Sequence, residues 1–205
     1  MKKLLVIIVL ISISFIGYGQ LKHNSKKPMD PATLPVAENL KGTDITASID
    51  FSLTYPTTKR KIRVFVPQKY DGETPACLLV GLDGNLFDAI TVIDNLIRTG
   101  EMPVTIGIFL DPGVSYHPDG TVARYNRSNE LDRTDRLFAT FLEQEVIPFV
   151  EQMSTPDGRE IKISDDPNDR AITGASSSGI AAFTVAWERP DLFRRVYSSV
   201  GTFVA

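Results

Sequence analysis

Ala171-Ile172-Thr173-Gly174-Ala175-Ser176-Ser177-Ser178-Gly179-Ile180-Ala181-Ala182 runs from an apolar triplet, through a turn of small residues, straight into a helical pattern. Ala171-Ile172-Thr173 reads as a short strand. Gly179 to Glu188, stopped by Pro190, reads as a helix. A strand that turns this sharply into a helix needs neighbours with little or no side chain. The residue at the tip is lifted clear of the sheet's carboxyl edge, beside amides whose dipole favours a developing negative charge. This is the setting of a nucleophile elbow, Gly-x-Ser-x-Gly. Gly174-Ala175-Ser176-Ser177-Ser178 fits except at its last place, where Ser178 stands for glycine and Gly179 follows one residue later. Gly174 at the strand exit selects Ser176 as the nucleophile. The shifted register, Ala175 to Gly179, selects Ser177. Taken alone, the segment also suits a serine-rich helix cap without catalysis.

Working outward, Ala76 to Leu82 is a continuous apolar run closed by Asp83-Gly84-Asn85, as expected of a strand buried on both faces of a parallel sheet. Leu86, Ile90, Ile93, Leu96 and Ile97 have helical spacing, with Gly100 as the stop. Val104 to Leu110 is a second buried strand, ended by Asp111-Pro112-Gly113. A polar loop then extends to Asn129. Leu131 to Gln152 reads as one long amphipathic helix that Pro148 kinks or restarts. Arg195 to Val200 is a further strand. Such strand–helix alternation implies βαβ units and a mostly parallel sheet, an α/β fold. In front of it, Ile45, Ser48, Phe51 and Leu53, then Ile62, Val64 and Val66, predict an antiparallel hairpin around Tyr55-Pro56-Thr57-Thr58 at a sheet edge. Pro67 ends its second strand.

The N-terminus is a different kind of sequence. Lys2 and Lys3 precede an apolar run from Leu4 to Ile16, and Gly17-Tyr18-Gly19 offers small residues before Gln20. Residues 1–19 read as a secretory signal peptide, too short for a membrane span. Residues 20–45 are polar and proline-containing, a linker or arm. Residues 46–205 form the domain. The expectation is a secreted or periplasmic protein without stable membrane insertion. Apolar residues make up 42% and charged residues 23%, which excludes wholesale disorder. The formal charge of −3 comes without a basic stripe, which argues against nucleic acid. No metal-ligand spacing occurs, and no cofactor is expected. The single cysteine, Cys77, lies in an apolar run and reads as an inert thiol.

Several stretches occur in an order that resembles a known family. They are Tyr70-Asp71-Gly72, Leu82-Asp83-Gly84-Asn85, Asp94-Asn95-Leu96-Ile97, Gly100-Glu101-Met102-Pro103-Val104, Arg127-Ser128-Asn129-Glu130-Leu131, Asp166-Pro167-Asn168-Asp169-Arg170-Ala171 and Ala186-Trp187-Glu188-Arg189-Pro190-Asp191. With the elbow, they make residues 50–205 resemble the putative-esterase family of the α/β-hydrolases. That family includes enterochelin esterases, esterase D-like enzymes, feruloyl and acetyl-xylan esterases and mycolyl transferases, and the enterochelin-esterase-like branch is most similar. The resemblance implies an α/β-hydrolase fold and ester hydrolysis through an acyl-serine intermediate. It implies oxyanion donors at the backbone N–H of Ser177 and of Asn85, with Gly84 letting the backbone approach. Asp83 is then placed to hydrogen-bond the alcohol part of a siderophore, carbohydrate or aryl ester. An ordinary turn at Asp83-Gly84-Asn85 is the plainer alternative.

Arg127 and Glu130, three apart, are expected to pair and shape the mouth of the site, or to form a plain surface pair. Arg127 also suits an acidic substrate. His117 lies in a loop before the serine and reads as a surface or pocket residue. Phe183, Trp187 and Phe193 are expected to pack the elbow helix onto the sheet.

A serine hydroxyl needs a general base, and the base needs an orienting acid. In this fold the chain order is serine, acid, histidine. After Ser176 the acids are Glu188 and Asp191, and no histidine follows. The expectation is a domain truncated after the strand that follows the nucleophile helix, with acid and histidine beyond Ala205. Phe203 and Val204, apolar at the very end, fit that reading. A glycan- or siderophore-binding protein on the same scaffold, or an acyltransferase, are the alternatives.

Overall fold

The computed structural model describes residues 28–203. The expected signal peptide and the start of the arm lie outside the described residues. Two units are distinguished, Met1–Asp30 and Pro31–Ala205, and the account below concerns the second.

An eight-stranded mixed sheet forms its centre. In chain order the elements are β1 (Thr43–Ile49), β2 (Thr58–Val66), β3 (Cys77–Leu82), α1 (Ala89–Thr99), β4 (Thr105–Leu110), β5 (Val114–Tyr116), β6 (Val122–Tyr125), α2 (Arg127–Leu131), α3 (Leu137–Phe141), α4 (Ile147–Glu151), β7 (Arg170–Ala175), α5 (Ser177–Glu188) and β8 (Arg195–Ser199). The neighbour order is β6-β5-β2-β4-β3-β7-β8, with β1 on the other side of β2. Strands β4, β3, β7 and β8 run parallel, and β2 joins β1, β4 and β5 antiparallel. This is the α/β-hydrolase type of sheet with the expected N-terminal hairpin.

The parallel centre forms because its residues tolerate no water on either side. All of β4 is buried. One face of the sheet packs Ile62, Val64, Leu78, Val80, Ile108 and Ile172 against α3, α4 and α5. The opposite face packs Phe65 and Phe109 against Ile93 and Ile97 of α1. Each such side chain contributes roughly 1.5–3 kcal/mol of burial. In β2 the inward phase continues past Ile62 to Arg60, which is only 3% exposed.

Several boundaries differ from the sequence reading. Strand β1 stops at Ile49, so Phe51 and Leu53 are not strand residues and are 75% and 77% exposed. The backbone N–H groups of Leu53 and Thr54 donate instead to the Glu145 carboxylate at 3.3 and 2.8 Å. The arm is not free from Pro31 onward. Val36 is buried, and the Asn95 carboxamide on α1 donates to the Ala32 and Leu34 carbonyls at 3.0 and 2.8 Å. Strand β1 also begins at Thr43, within the stretch read as arm.

The stretch read as a polar loop to Asn129 contains the β5–β6 ribbon. Ile62 faces Leu110 and Lys59 faces Val114, so β5 resumes along β2 where β4 leaves it. Pro112, lacking an N–H, interrupts that ladder. The long helix begins at Leu137 rather than Leu131, because α2 ends at Leu131. A π turn over Leu142–Val146 lies between α3 and α4 and widens the helix just before Pro148, which cannot donate back. The helix predicted from Leu86 begins at Ala89, after a turn in which Phe87 and Asp88 are left-handed. Of the three aromatics assigned to the elbow helix, only Phe193 is buried. Trp187 is 73% exposed and stacks on Phe183 on the outer side, because Ser178, Ala181, Ala182 and Val185 hold the inner one. Among the described residues no helix is long and apolar enough to cross a membrane.

Candidate active site

At the carboxyl end of β7 the chain reverses into α5 through Ser176, whose φ of 59° and ψ of −126° no ordinary side chain favours. Holding a non-glycine residue there costs of order 1–3 kcal/mol. The surroundings enforce it. Ser176 N–H donates to the Ser199 carbonyl at 2.9 Å, and the Ser176 carbonyl accepts from Ile180 N at 3.0 Å. Gly174 is packed so closely that a Cβ there would overlap the Ser178 backbone. Ser178 is buried, and its hydroxyl accepts from Ala175 N at 2.8 Å and donates to the Ala175 carbonyl at 2.7 Å. The hydroxyl at the glycine position therefore closes the turn from within.

The three serines are chemically unlike one another. Ser178 Oγ has both of its bonding capacities used. Ser177 Oγ accepts from Arg127 Nη1 at 3.1 Å. Ser176 is exposed at the tip and its hydroxyl has no partner among the described residues. Ser177 N–H, at the first position of α5, likewise has none there.

Facing the elbow is the turn after β3. Asp83 and Gly84 are both left-handed, at φ 63° and 74°. Gly84 N–H donates to the Leu110 carbonyl at 2.8 Å, which ties the turn to β4. The Asn85 carboxamide oxygen accepts from Ile90 N at 2.9 Å and so caps α1, while the backbone N–H of Asn85 meets no acceptor among the described residues.

Asp83 does not present a free carboxylate. Arg127 Nε and Nη2 donate to its two oxygens at 2.8 and 2.6 Å. Those hydrogen bonds push the Arg127 pKa above its ordinary value, burial works against them, and the Asp83 charge adds to the rise. The expected Arg127–Glu130 pair does not form. Glu130 is 1% exposed and takes both Arg60 Nη1 at 2.8 Å and Nη2 at 2.9 Å, together with Gly113 N–H at 3.1 Å. Each is taken by a partner from another element: Asp83, in the turn after β3, holds Arg127 at the surface, while Arg60 of β2 holds Glu130 in the interior. Glu130 is therefore not at the mouth of the site, and Arg127 and Asp83 are engaged with each other.

The sequence reading passed over Arg60, which looks like one member of a basic run, Lys59-Arg60-Lys61. Its signal was phase: Arg60 alternates with Ile62, Val64 and Val66 on the inward side. His117 is exposed in the β5–β6 turn, where its backbone N–H donates to the Thr121 carbonyl at 2.8 Å. Burial pushes the Cys77 thiol pKa up, which keeps it protonated. Beside the elbow lies an apolar hollow of about 270 Å³, lined by Leu86, Phe87, Val92, Gly174 and Tyr197.

A left-handed serine between a parallel strand and a helix, at the sheet's carboxyl edge, defines an α/β-hydrolase-type scaffold. The comparison with known families is more specific. The family described as "Putative esterase" matches residues 54–203, and the chain belongs to it. No match was found among curated proteins. Among solved structures, the enterobactin esterase from Shigella flexneri superposes with a TM-score of 0.61 at 22% identity, over 86% of this chain and 41% of its own. A ferulic acid esterase from the anaerobic fungus Anaeromyces mucronatus gives 0.61 at 18% identity, over 84% and 64%. The ferric enterobactin esterase from Salmonella typhimurium gives 0.60 at 20%, over 78% and 37%. The chain thus spans less than half the length of the enterobactin esterases it resembles.

Proposed function

We propose that this chain carries the nucleophile and the oxyanion site of an exported serine carboxylic-ester hydrolase acting on siderophore, carbohydrate or aryl esters. The observation that carries the reading is the strained, exposed Ser176 between β7 and α5. Ser176 Oγ attacks the ester carbonyl carbon as its proton passes to a base. The carbonyl oxygen gains the negative charge and faces the free N–H groups of Ser177 and Asn85. The ester C–O bond then breaks, the alcohol leaves with the proton, and water releases the acyl group from Ser176 by the same route. Solved relatives named enterobactin esterase and ferulic acid esterase support the ester-hydrolase reading.

Ser176 is followed by no histidine, and His117 belongs to a turn of the separate β5–β6 ribbon. Export rests on residues 1–19, and secreted protein beginning at Gln20 supports it, whereas an intact Met1 in the membrane fraction overturns it.

The test of the chemistry uses the full-length gene product and a fluorophosphonate probe. Ser176→Ala abolishes labelling and lowers turnover on the order of 10⁶-fold, while Ser177→Ala keeps its label. Undiminished labelling of Ser176→Ala overturns the assignment.

A further inference from the structure

We infer that Arg127 is a positioning residue that fixes the distance between the two walls of the oxyanion site, with the buried Arg60–Glu130 pair as its footing. The inference rests on the esterase reading above. The two proposed donors lie on segments far apart in sequence. Asn85 follows β3, and Ser177 opens α5. Sheet register alone fixes the strands, since Gly81 pairs with Thr173 at their last common rung. Beyond that rung each turn is tied to its own neighbouring strand, Gly84 N–H to the Leu110 carbonyl and Ser176 N–H to the Ser199 carbonyl, and neither bond joins one turn to the other.

Arg127 is what joins them. Its Nε and Nη2 hold both oxygens of Asp83, two residues before Asn85, and its Nη1 holds the hydroxyl of Ser177. A planar guanidinium can bond both walls at once with fixed angles between its donors, which an ammonium cannot do. The two contacts with Asp83 also commit the edge of the guanidinium that an acidic substrate would otherwise use.

A strut needs a fixed base, and α2 is too short to supply one by its own hydrogen bonds. Glu130, one turn on from Arg127, provides it. Its carboxylate receives the Arg60 fork from β2 and Gly113 N–H from the β4–β5 corner. Asn126 N–H donates to the Gly113 carbonyl at 2.9 Å, and the Asn126 carbonyl accepts from Glu130 N at 3.0 Å. The Arg60 guanidinium lies 4.4 Å from the centre of the Phe141 ring, closed off from water. Arg127 is thereby attached to the sheet through its own helix, independently of the two turns that it spaces.

The experiment measures turnover of p-nitrophenyl acetate by the full-length gene product, with active sites counted by fluorophosphonate titration. The acetyl ester carries no charge for Arg127 to bind. Arg127→Lys and Arg127→Met are expected to lower kcat per titrated site by about 10²-fold, as for a misplaced oxyanion donor, with KM within about threefold of wild type. Asp83→Asn, which keeps the shape and removes the charge, is expected to show a smaller loss in the same direction. A purely structural role would lower the number of titrated sites and leave kcat per site unchanged. A substrate-binding role would raise KM for an acidic ester and spare the acetyl ester. Either of those results overturns the inference while Ser176 still labels. A wild-type protein that does not label at Ser176 overturns the esterase reading and this inference together.

Discussion

Replacing Glu130 by glutamine removes one charge from an ion pair in which each side chain is 1% exposed. The shape is nearly unchanged, so the effect isolates electrostatics. Glutamine keeps one oxygen, which can serve either Gly113 N–H or Arg60. Its amide group turns N–H donors toward a guanidinium that itself only donates. Arg60 remains charged and out of reach of water. Breaking a buried pair from one side costs about 3–5 kcal/mol. The Phe141 ring at 4.4 Å and the Tyr55 ring at 5.4 Å attract the cation in both proteins and leave the difference unchanged, while the oxygen that glutamine retains puts the loss at the lower end of that range. The expected net loss is about 3 kcal/mol, a large share of the roughly 5–15 kcal/mol typical of a domain. For a domain of this size that lowers the melting temperature by about 6–12 °C. Urea unfolding followed by fluorescence, with melting by calorimetry, measures both figures. The double variant Arg60→Met/Glu130→Met removes both charges and is expected to be less destabilised than Glu130→Gln alone. A Glu130→Gln protein within about 1 kcal/mol of wild type refutes the reasoning. So does a double variant whose loss equals the sum of the two single losses.

Two further predictions come from elsewhere in the fold. Ser176→Gly relieves the left-handed backbone at the elbow and is expected to stabilise the domain by about 1 kcal/mol while abolishing fluorophosphonate labelling, as read from urea midpoints and gel fluorescence. Arg189 holds Glu143 at 2.7 and 2.8 Å and Asp191 at 2.7 Å, and its hydrogen bonds keep both carboxyls below their ordinary pKa values. Their stabilisation is complete above the ordinary carboxylate range and is lost as pH falls through the lowered values. Arg189→Gln should therefore reduce stability at pH 7 and flatten its decline toward pH 3; a parallel decline in both proteins argues against this coupling.

The parallel centre was legible because burial on both faces writes an uninterrupted apolar run, as in Ala76 to Leu82 and Val104 to Leu110. The elbow was legible because its sterics admit few residue types around Ser176. The β5–β6 ribbon was not, since Val122 to Tyr125 is wholly exposed and has no apolar alternation to betray it. The start of α3 was missed for a related reason. Leu131 and Leu137 both face the core, and periodicity alone cannot tell that the chain leaves the helix between them. At the site, Asp83, Arg127 and Glu130 were all singled out, but their pairings were not. Spacing along the chain suggested Arg127 with Glu130, whereas the sheet brings Asp83 to the first and Arg60 to the second. Those pairs are set by tertiary contacts across wide gaps in sequence, which no local pattern encodes.

The hydroxyl of Ser178 has a consequence for how such chains diverge and how they are found. Glycine and serine codons of the GGY and AGY kind differ by one base, so the last place of the elbow can change in a single mutational step. Most side chains would be refused there, because the position is sealed against Gly174. Serine is admitted because its own oxygen satisfies the Ala175 amide and carbonyl that it covers. The requirement at that place is therefore not an empty position but one whose occupant folds back on the turn. A search pattern that insists on glycine will pass over lineages that took this step, and one that accepts serine only when glycine stands four residues earlier will recover them.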